Sequence, residues 1–335
     1  MAQRLLKIIL PQNHGQSALE LLAELEITDC WQEESASALE VISVMVDSGQ
    51  SEGLMDRLEK AFDGLAGFRL VLIPVEATIP RVEPLDPPQA DSPAEPSTIG
   101  TTRISREELY ADIVDSTRMS NVYLAMVVLS TLVAAIGLLT DNVAVIIGAM
   151  VIAPFLGPNV ALCLSTCLAD YELGKNSLKT LVVGVVIAFL IALLLGLFLE
   201  ADPAAAEIAS RTRASLSDIA LALASGAAGV LAFTTGVSAT LIGVMVAVAL
   251  LPPLTVSGLL LGAGHIQASF FAFLLFMTNI ICINLSGIVT FLIRGISPRT
   301  WWEADRAKKS TRKALFTWSA TLCLLMAIIL MWQTD

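Results

Sequence analysis

The chain has 335 residues, 55% of them hydrophobic and only 15% charged, with a net charge of −11. Soluble globular chains carry about a quarter charged residues, so this composition excludes a protein that is soluble along its whole length. Residues 1–100 hold 17 Asp/Glu and 6 Lys/Arg, whereas residues 101–335 hold 14 of each. The acidity belongs to the N-terminal part and speaks against nucleic acid or anionic lipid as its partner.

Residues 1–79 follow the order strand, helix, strand, strand, helix, strand. Arg4–Leu10 alternates weakly, with the β-formers Ile8 and Ile9. After a turn over residues 11–15, Ser17–Leu25 sets Leu19, Leu22 and Leu25 on one helical face. Leu39–Val46 and Phe68–Val75 are the clearest strands. Between them, Glu52–Phe62 spaces Leu54, Leu58 and Phe62 as a helix does. This order fits a soluble α+β ferredoxin-like βαββαβ domain. The loop carrying His14 and Gly15 offers a ligand position, although a plain turn explains it as well.

Residues 80–102 contain Pro80, Pro84, Pro87, Pro88, Pro93 and Pro96 among acidic and small residues, a composition that predicts an extended, disordered linker. Residues 103–120 predict an amphipathic interfacial helix, with Ser105 as N-cap and Glu108 completing a capping box. Apolar windows of about 20 residues then mark membrane spans. They cover 121–139, 142–168, 177–199, 216–235, 237–263, 267–293 and 314–332. A basic segment, 294–313, separates the six-span region from the seventh helix of 314–335.

Two of these spans carry the same proline-bearing pattern. The segment from Ile147 to Pro158 is followed 95 positions later by one from Ile242 to Pro253, with Gly148 matching Gly243 and Met150 matching Met245. The offset also aligns Thr117, Arg118 and Ser120 with Thr212, Arg213 and Ser215. Proline inside a helix removes a donor and clashes with the preceding turn, so spans two and five are predicted to be broken. Each copy holds three spans, an odd number, so the second copy enters the membrane from the opposite side. The expectation is a polytopic α-helical membrane protein with a 3+3 inverted repeat plus a seventh helix.

Lys/Arg placement predicts the orientation. Arg294, Arg299, Arg306, Lys308, Lys309, Arg312 and Lys313 cluster on one side, joined by Lys175, Lys179, Arg103, Arg106 and Arg118. That side should be cytoplasmic, leaving the N-terminus inside and the C-terminus outside.

No nucleophile, base and orienter come together in the pattern, so an enzyme is not expected. Cys30, Cys163, Cys167, Cys282 and Cys323 form no C-x-x-C pair or disulfide framework, and His14 and His265 lie far apart; Cys163 and Cys167, one helical turn apart, could hold a soft metal but read better as small apolar helix-packing residues. Neither a metal nor a cofactor is called for. The candidate substrate pathway is therefore built from the proline breaks and neutral polar groups. It comprises Asp141, Asn142, Pro154, Gly157, Pro158, Asn159, Pro252, Pro253, Thr255, Asn279 and Asn284. Asp141 is equally well placed to be the N-cap of span two. The small residues Ser225 to Gly229 predict close helix contact, within one subunit or between subunits, and a homo-oligomer is expected.

The run from Asp141 to Pro154 with Gly157-Pro158, the stretch Ser225 to Gly229, the stretch Val246 to Pro253, and Thr278-Asn279 together resemble the "uncharacterised hydrophobic domain" family of prokaryotic membrane proteins, a domain-of-unknown-function (DUF) family. The resemblance covers roughly 105–293, and the N-terminal part is similar to the soluble domain some members carry. Phe155-Leu156 departs from the family's Leu or Met pair. The resemblance implies a protein of the prokaryotic cytoplasmic, or inner, membrane.

Two functions follow as expectations. The first is a channel or secondary transporter for a small solute or ion, regulated by the cytoplasmic N-terminal domain. The second is a non-transporting membrane sensor or scaffold whose N-terminal domain binds a ligand, which requires solid packing at the breaks. A membrane enzyme fits least.

Overall fold

A computed structural model describes residues 3–25, 27, 29–33, 39–75, 106–212, 215–235, 239–296 and 301–333; within these, the side chains of 48–49, 107, 239–245, 248, 301–307 and 329–333 are left undescribed. The predicted linker and the Ser105 cap lie outside the described residues. The chain divides into two compact units, Met1–Leu109 and Tyr110–Asp335.

The first unit runs β1 (Gln3–Pro11), α1 (Gly15–Glu24), β2 (Cys30–Glu33), β3 (Leu39–Asp47), α2 (Ser48–Phe62) and β4 (Arg69–Val75). The four strands form an antiparallel sheet in the order β2-β3-β1-β4. Alternate residues of β1 and β3 point to one face. Leu6, Ile8, Leu10, Ile42 and Val44 are accordingly fully buried, sharing a core with Leu22 of α1 and Leu58 of α2. β2 is the second strand of the expected order, but its bounds are not legible in the sequence because four residues, Cys-Trp-Gln-Glu, show no usable alternation. A tertiary contact fixes it: Glu33 accepts from Lys7 Nζ at 2.8 Å and Ser43 Oγ at 2.6 Å. Those hydrogen bonds hold the Glu33 carboxyl below its ordinary range.

The His14–Gly15 loop has its free donors engaged from within the chain. The Glu40 carboxylate accepts from Gly15 N at 2.5 Å and from Asn13 N at 3.3 Å, with Asn13 in the left-handed region at φ 71°.

α3 (Arg106–Ser116) begins in the first unit and ends in the second. Then come α4 (Asn121–Leu139), α5 (Val143–Ile152), α6 (Leu156–Leu168), α7 (Tyr171–Phe198), α8 (Ala206–Ala209), α9 (Leu216–Thr235), α10 (Ala239–Gly262), α11 (Ile266–Ile293) and α12 (Trp301–Gln333). Among the described residues four helices, α4, α7, α9 and α11, are long and apolar enough to cross a membrane, and the bent pair α5–α6 makes a fifth. α10 and α12 occupy the windows predicted for spans five and seven.

Two boundaries differ from the apolar windows. α7 starts at Tyr171, capped by the Asp170 side chain accepting from Leu173 N at 3.0 Å. The segment predicted as a basic loop, 294–313, is helical from Trp301 onward. Lys and Arg are good helix formers, so charge ends a hydropathy window without ending the helix.

Within each trio the helices pack on one another: α4 on α5 and α7, α6 on α7, and α9 and α11 on α10 and on each other. Between trios, α10 packs against α7, α5 and α4, and α11 against α6. The small residues of α9 serve an internal seam, since a Cβ at Gly226 would meet Ile283 and Ser286 of α11.

Candidate functional site

Span two breaks as predicted. Ala153 precedes Pro154 and adopts an extended backbone with ψ 121°, as expected where the proline ring disfavours the helical region for its predecessor. α5 and α6 meet there at a bend of 52°. Pro158 sits in the first turn of α6, where its missing donor is tolerated. Half-buried Gly157 lies against the end of α3: a Cβ there would approach Ser116 to within 2.7–2.8 Å.

Span five corrects the expectation. α10 is one helix from Ala239 to Gly262 with Pro252 and Pro253 inside it. Pro253 has no N–H to give the Ala249 carbonyl four residues back. Asn279 of α11 supplies the missing donor, its Nδ2 reaching Ala249 O at 2.7 Å. In α10 a neighbouring side chain thus supplies the donor that Pro253 lacks, in keeping with how proline is accommodated in lipid; Pro158, the counterpart of Pro253, sits in the first turn of α6 and needs no such donor. The proline at the break, Pro154, has Ala249 as its counterpart 95 positions on, so α10 carries no proline where span two bends.

The candidate residues divide into a buried group and an outlying pair. Asn159 and Asn284 are both fully buried and joined, Asn284 Nδ2 donating to Asn159 Oδ1 at 3.2 Å and to Ile280 O at 2.9 Å. Asn159 Nδ2 donates to Phe155 O at 2.8 Å, beside the break. Asn279, 4% exposed, keeps its Oδ1 without a partner among the described residues. A buried amide oxygen left so is costly, about 1–3 kcal/mol. Thr255 is buried and donates to Leu251 O on its own helix at 2.8 Å, which takes its proton back into α10. Pro252, Pro253 and Pro158 are buried and Pro154 is half-buried.

Asp141 and Asn142 are not part of this group. Both are exposed, at the opposite end of α5 from the bend. Asn142, not Asp141, caps α5, accepting from Val145 N at 3.2 Å. Asp141, at φ 52°, accepts instead from Glu207 N of α8 at 2.8 Å.

Cys163 and Cys167, expected as small apolar helix-packing residues, pack against α11. Their thiols donate to the backbone of α11, Cys163 to Asn284 O at 3.6 Å and Cys167 to Ile288 O at 3.7 Å. Gly287 also meets Cys163, its Cβ position falling 2.7 Å from Sγ. The residues 95 positions on, Gly258 and Gly262 of α10, lie against α7. A Cβ at Gly258 would meet Ala192 Cβ at 2.6 Å and Phe189 O at 2.8 Å, and one at Gly262 would meet Leu193 O. Phe189, Ala192 and Leu193 are 95 positions before Asn284, Gly287 and Ile288. The signal for this packing was present in the repeat offset, which aligns Cys163 with Gly258 and Cys167 with Gly262.

Residues 150–285, which include Pro154, Pro158, Pro252 and Pro253, match the family described as a domain of unknown function (DUF389). An uncharacterised protein of Methanocaldococcus jannaschii is 37% identical over 294 residues, 88% of each chain. No solved structure matches the chain. With a relative of that identity covering 88% of the chain, the chain belongs to the family described as a domain of unknown function (DUF389).

Proposed function

We propose that the protein is a small-solute secondary transporter of the prokaryotic cytoplasmic membrane, built as a three-plus-three inverted repeat and preceded by a ferredoxin-like regulatory domain on the cytoplasmic side. One observation carries this reading. A two-fold relation between the halves requires that a contact between i and j reappear between i+95 and j−95. The contacts of Cys163 with Asn284 and Gly287, and of Cys167 with Ile288, reappear as Gly258 with Phe189 and Ala192, and Gly262 with Leu193. Chance packing of apolar helices has no reason to keep that register. Inverted repeats of this size place solute sites at the interface of the halves, beside interrupted helices.

The solute position is Asn279, whose oxygen is unengaged next to a carbonyl that Pro253 strips of its usual donor. Asn159 and Asn284 meet where α6 packs against α11. Burial of Pro158, Asn159, Pro252, Pro253 and Thr255 favours a carrier in a closed state over a permanently open pore. The strand order β2-β3-β1-β4 supports the ferredoxin-like assignment. The Lys/Arg distribution supports a cytoplasmic N-terminus.

Reconstituted protein should drive counterflow of at least one member of a panel of inorganic ions and small metabolites, and Asn279→Ala should abolish it without altering monodispersity or helicity. Proteoliposomes that move nothing in the panel would sink the carrier. The same burial at the prolines favours a second reading, a membrane sensor or scaffold; it predicts saturable ligand binding by the full chain that leaves liposome contents in place.

A further inference from the structure

Beside the turn from α6 into α7, a groove of about 580 Å³ opens between α6, α7 and α12. Its rim carries Lys175 and Lys179, one helical turn apart on α7, with Ser165 of α6 and Ser310 of α12; Leu178 and Val182 form an apolar wall. Both lysines are exposed, and neither has an ion-pair partner among the described residues. Asp170 also lines the groove, but its oxygens are engaged, accepting from Tyr110 Oη at 2.7 Å and from Leu173 N at 3.0 Å. The start of α7 adds the positive end of a 28-residue helix to the same place. α12 is seated there by Thr311 Oγ1 donating to Thr166 O at 3.2 Å.

The apolar wall continues beyond the groove. Leu178 and Val182 are each 49% exposed, and Val186, Leu190 and Leu194 extend the line at four-residue intervals with similar exposure. On an apolar spanning helix, such a stripe faces acyl chains. Basic pockets between helices at the cytoplasmic surface suit phosphate-bearing lipid headgroups. We propose that this groove binds an anionic glycerophospholipid, with the headgroup phosphate between Lys175 and Lys179 and an acyl chain along Leu178 and Val182. This rests on the membrane-spanning reading of α7, but not on any transport activity.

Delipidated full-length protein, titrated with phosphatidylglycerol or phosphatidylcholine and followed by native mass spectrometry, tests it. Phosphatidylglycerol should bind the wild type more tightly than phosphatidylcholine. Lys175→Ala/Lys179→Ala should weaken phosphatidylglycerol on the order of 30-fold and leave phosphatidylcholine unchanged, with thermal unfolding of the variant checking its fold. Leu178→Ser/Val182→Ser, which keeps both charges, should weaken both lipids. Inorganic phosphate at millimolar concentration should fail to displace the lipid. Unchanged phosphatidylglycerol affinity in the lysine variant overturns the site; displacement by phosphate assigns the groove to a soluble anion and overturns the lipid. Because the readout is lipid occupancy, a protein that transports nothing can still pass, and a transporter can still fail.

Discussion

At the scale of single residues, side chains settle problems that the backbone creates. Asn279→Leu leaves the Ala249 carbonyl without the donor it now has at 2.7 Å, so a stability loss of about 1–3 kcal/mol is expected. Thermal or denaturant unfolding in detergent measures it, and an unchanged midpoint would show that the carbonyl finds another donor. Tyr110 gives a second test, one in pH. Its phenol donates to Asp170, and that bond, with burial, pushes its pKa from 10.0 up to about 12. The folded state favours the neutral phenol, so this stabilisation is complete below pH 10 and is lost as pH rises toward about 12. Phenolate absorbance during an alkaline titration should show a late step that Tyr110→Phe removes. The proline at 253 could be read from the sequence as a missing donor, but not the amide that compensates for it.

At the scale of helices, the glycines separate into open and filled positions. A Cβ at Gly148 of α5 meets nothing within 4 Å. Gly148→Ala should therefore raise stability by up to about 1 kcal/mol, the propensity difference alone. A Cβ at Gly262 would press on Leu193 O and come within 2.8 Å of the Gly196 and Leu197 backbone. Gly262→Val should cost at least the roughly 1–3 kcal/mol of an overpacked core and separate α10 from α7. Comparing the two variants by unfolding temperature checks both, and equal effects would contradict the packing of these helices. Spans one, three, four and six were legible because about 20 apolar residues leave few alternatives to a spanning helix. The lengths of α7 and α12 were not, because their polar first turns fall outside any hydropathy window.

At the scale of the whole molecule, the orientation can be tested at two turns. Thr140 and Tyr171 are exposed at opposite ends of the α5–α6 span. In a background lacking Cys30 and Cys323, Thr140→Cys should react with a membrane-impermeant thiol reagent on intact cells, and Tyr171→Cys only after permeabilisation. The reverse pattern would invert the proposed topology.

What the sequence determined by itself follows from quantities that add along the chain. Apolar length marks the spans, Lys/Arg bias proposes their direction, and the 95-residue offset exposes the duplication. Tertiary structure decided how the Ala249 carbonyl beside Pro253 is satisfied, because its donor comes from a residue 30 positions away on another helix. It also decided which polar residues meet, bringing Asn159 to Asn284 across 125 positions and leaving Asp141 at the surface. Local sequence records which hydrogen-bonding groups a segment lacks; only the packing of distant helices determines whether they are supplied.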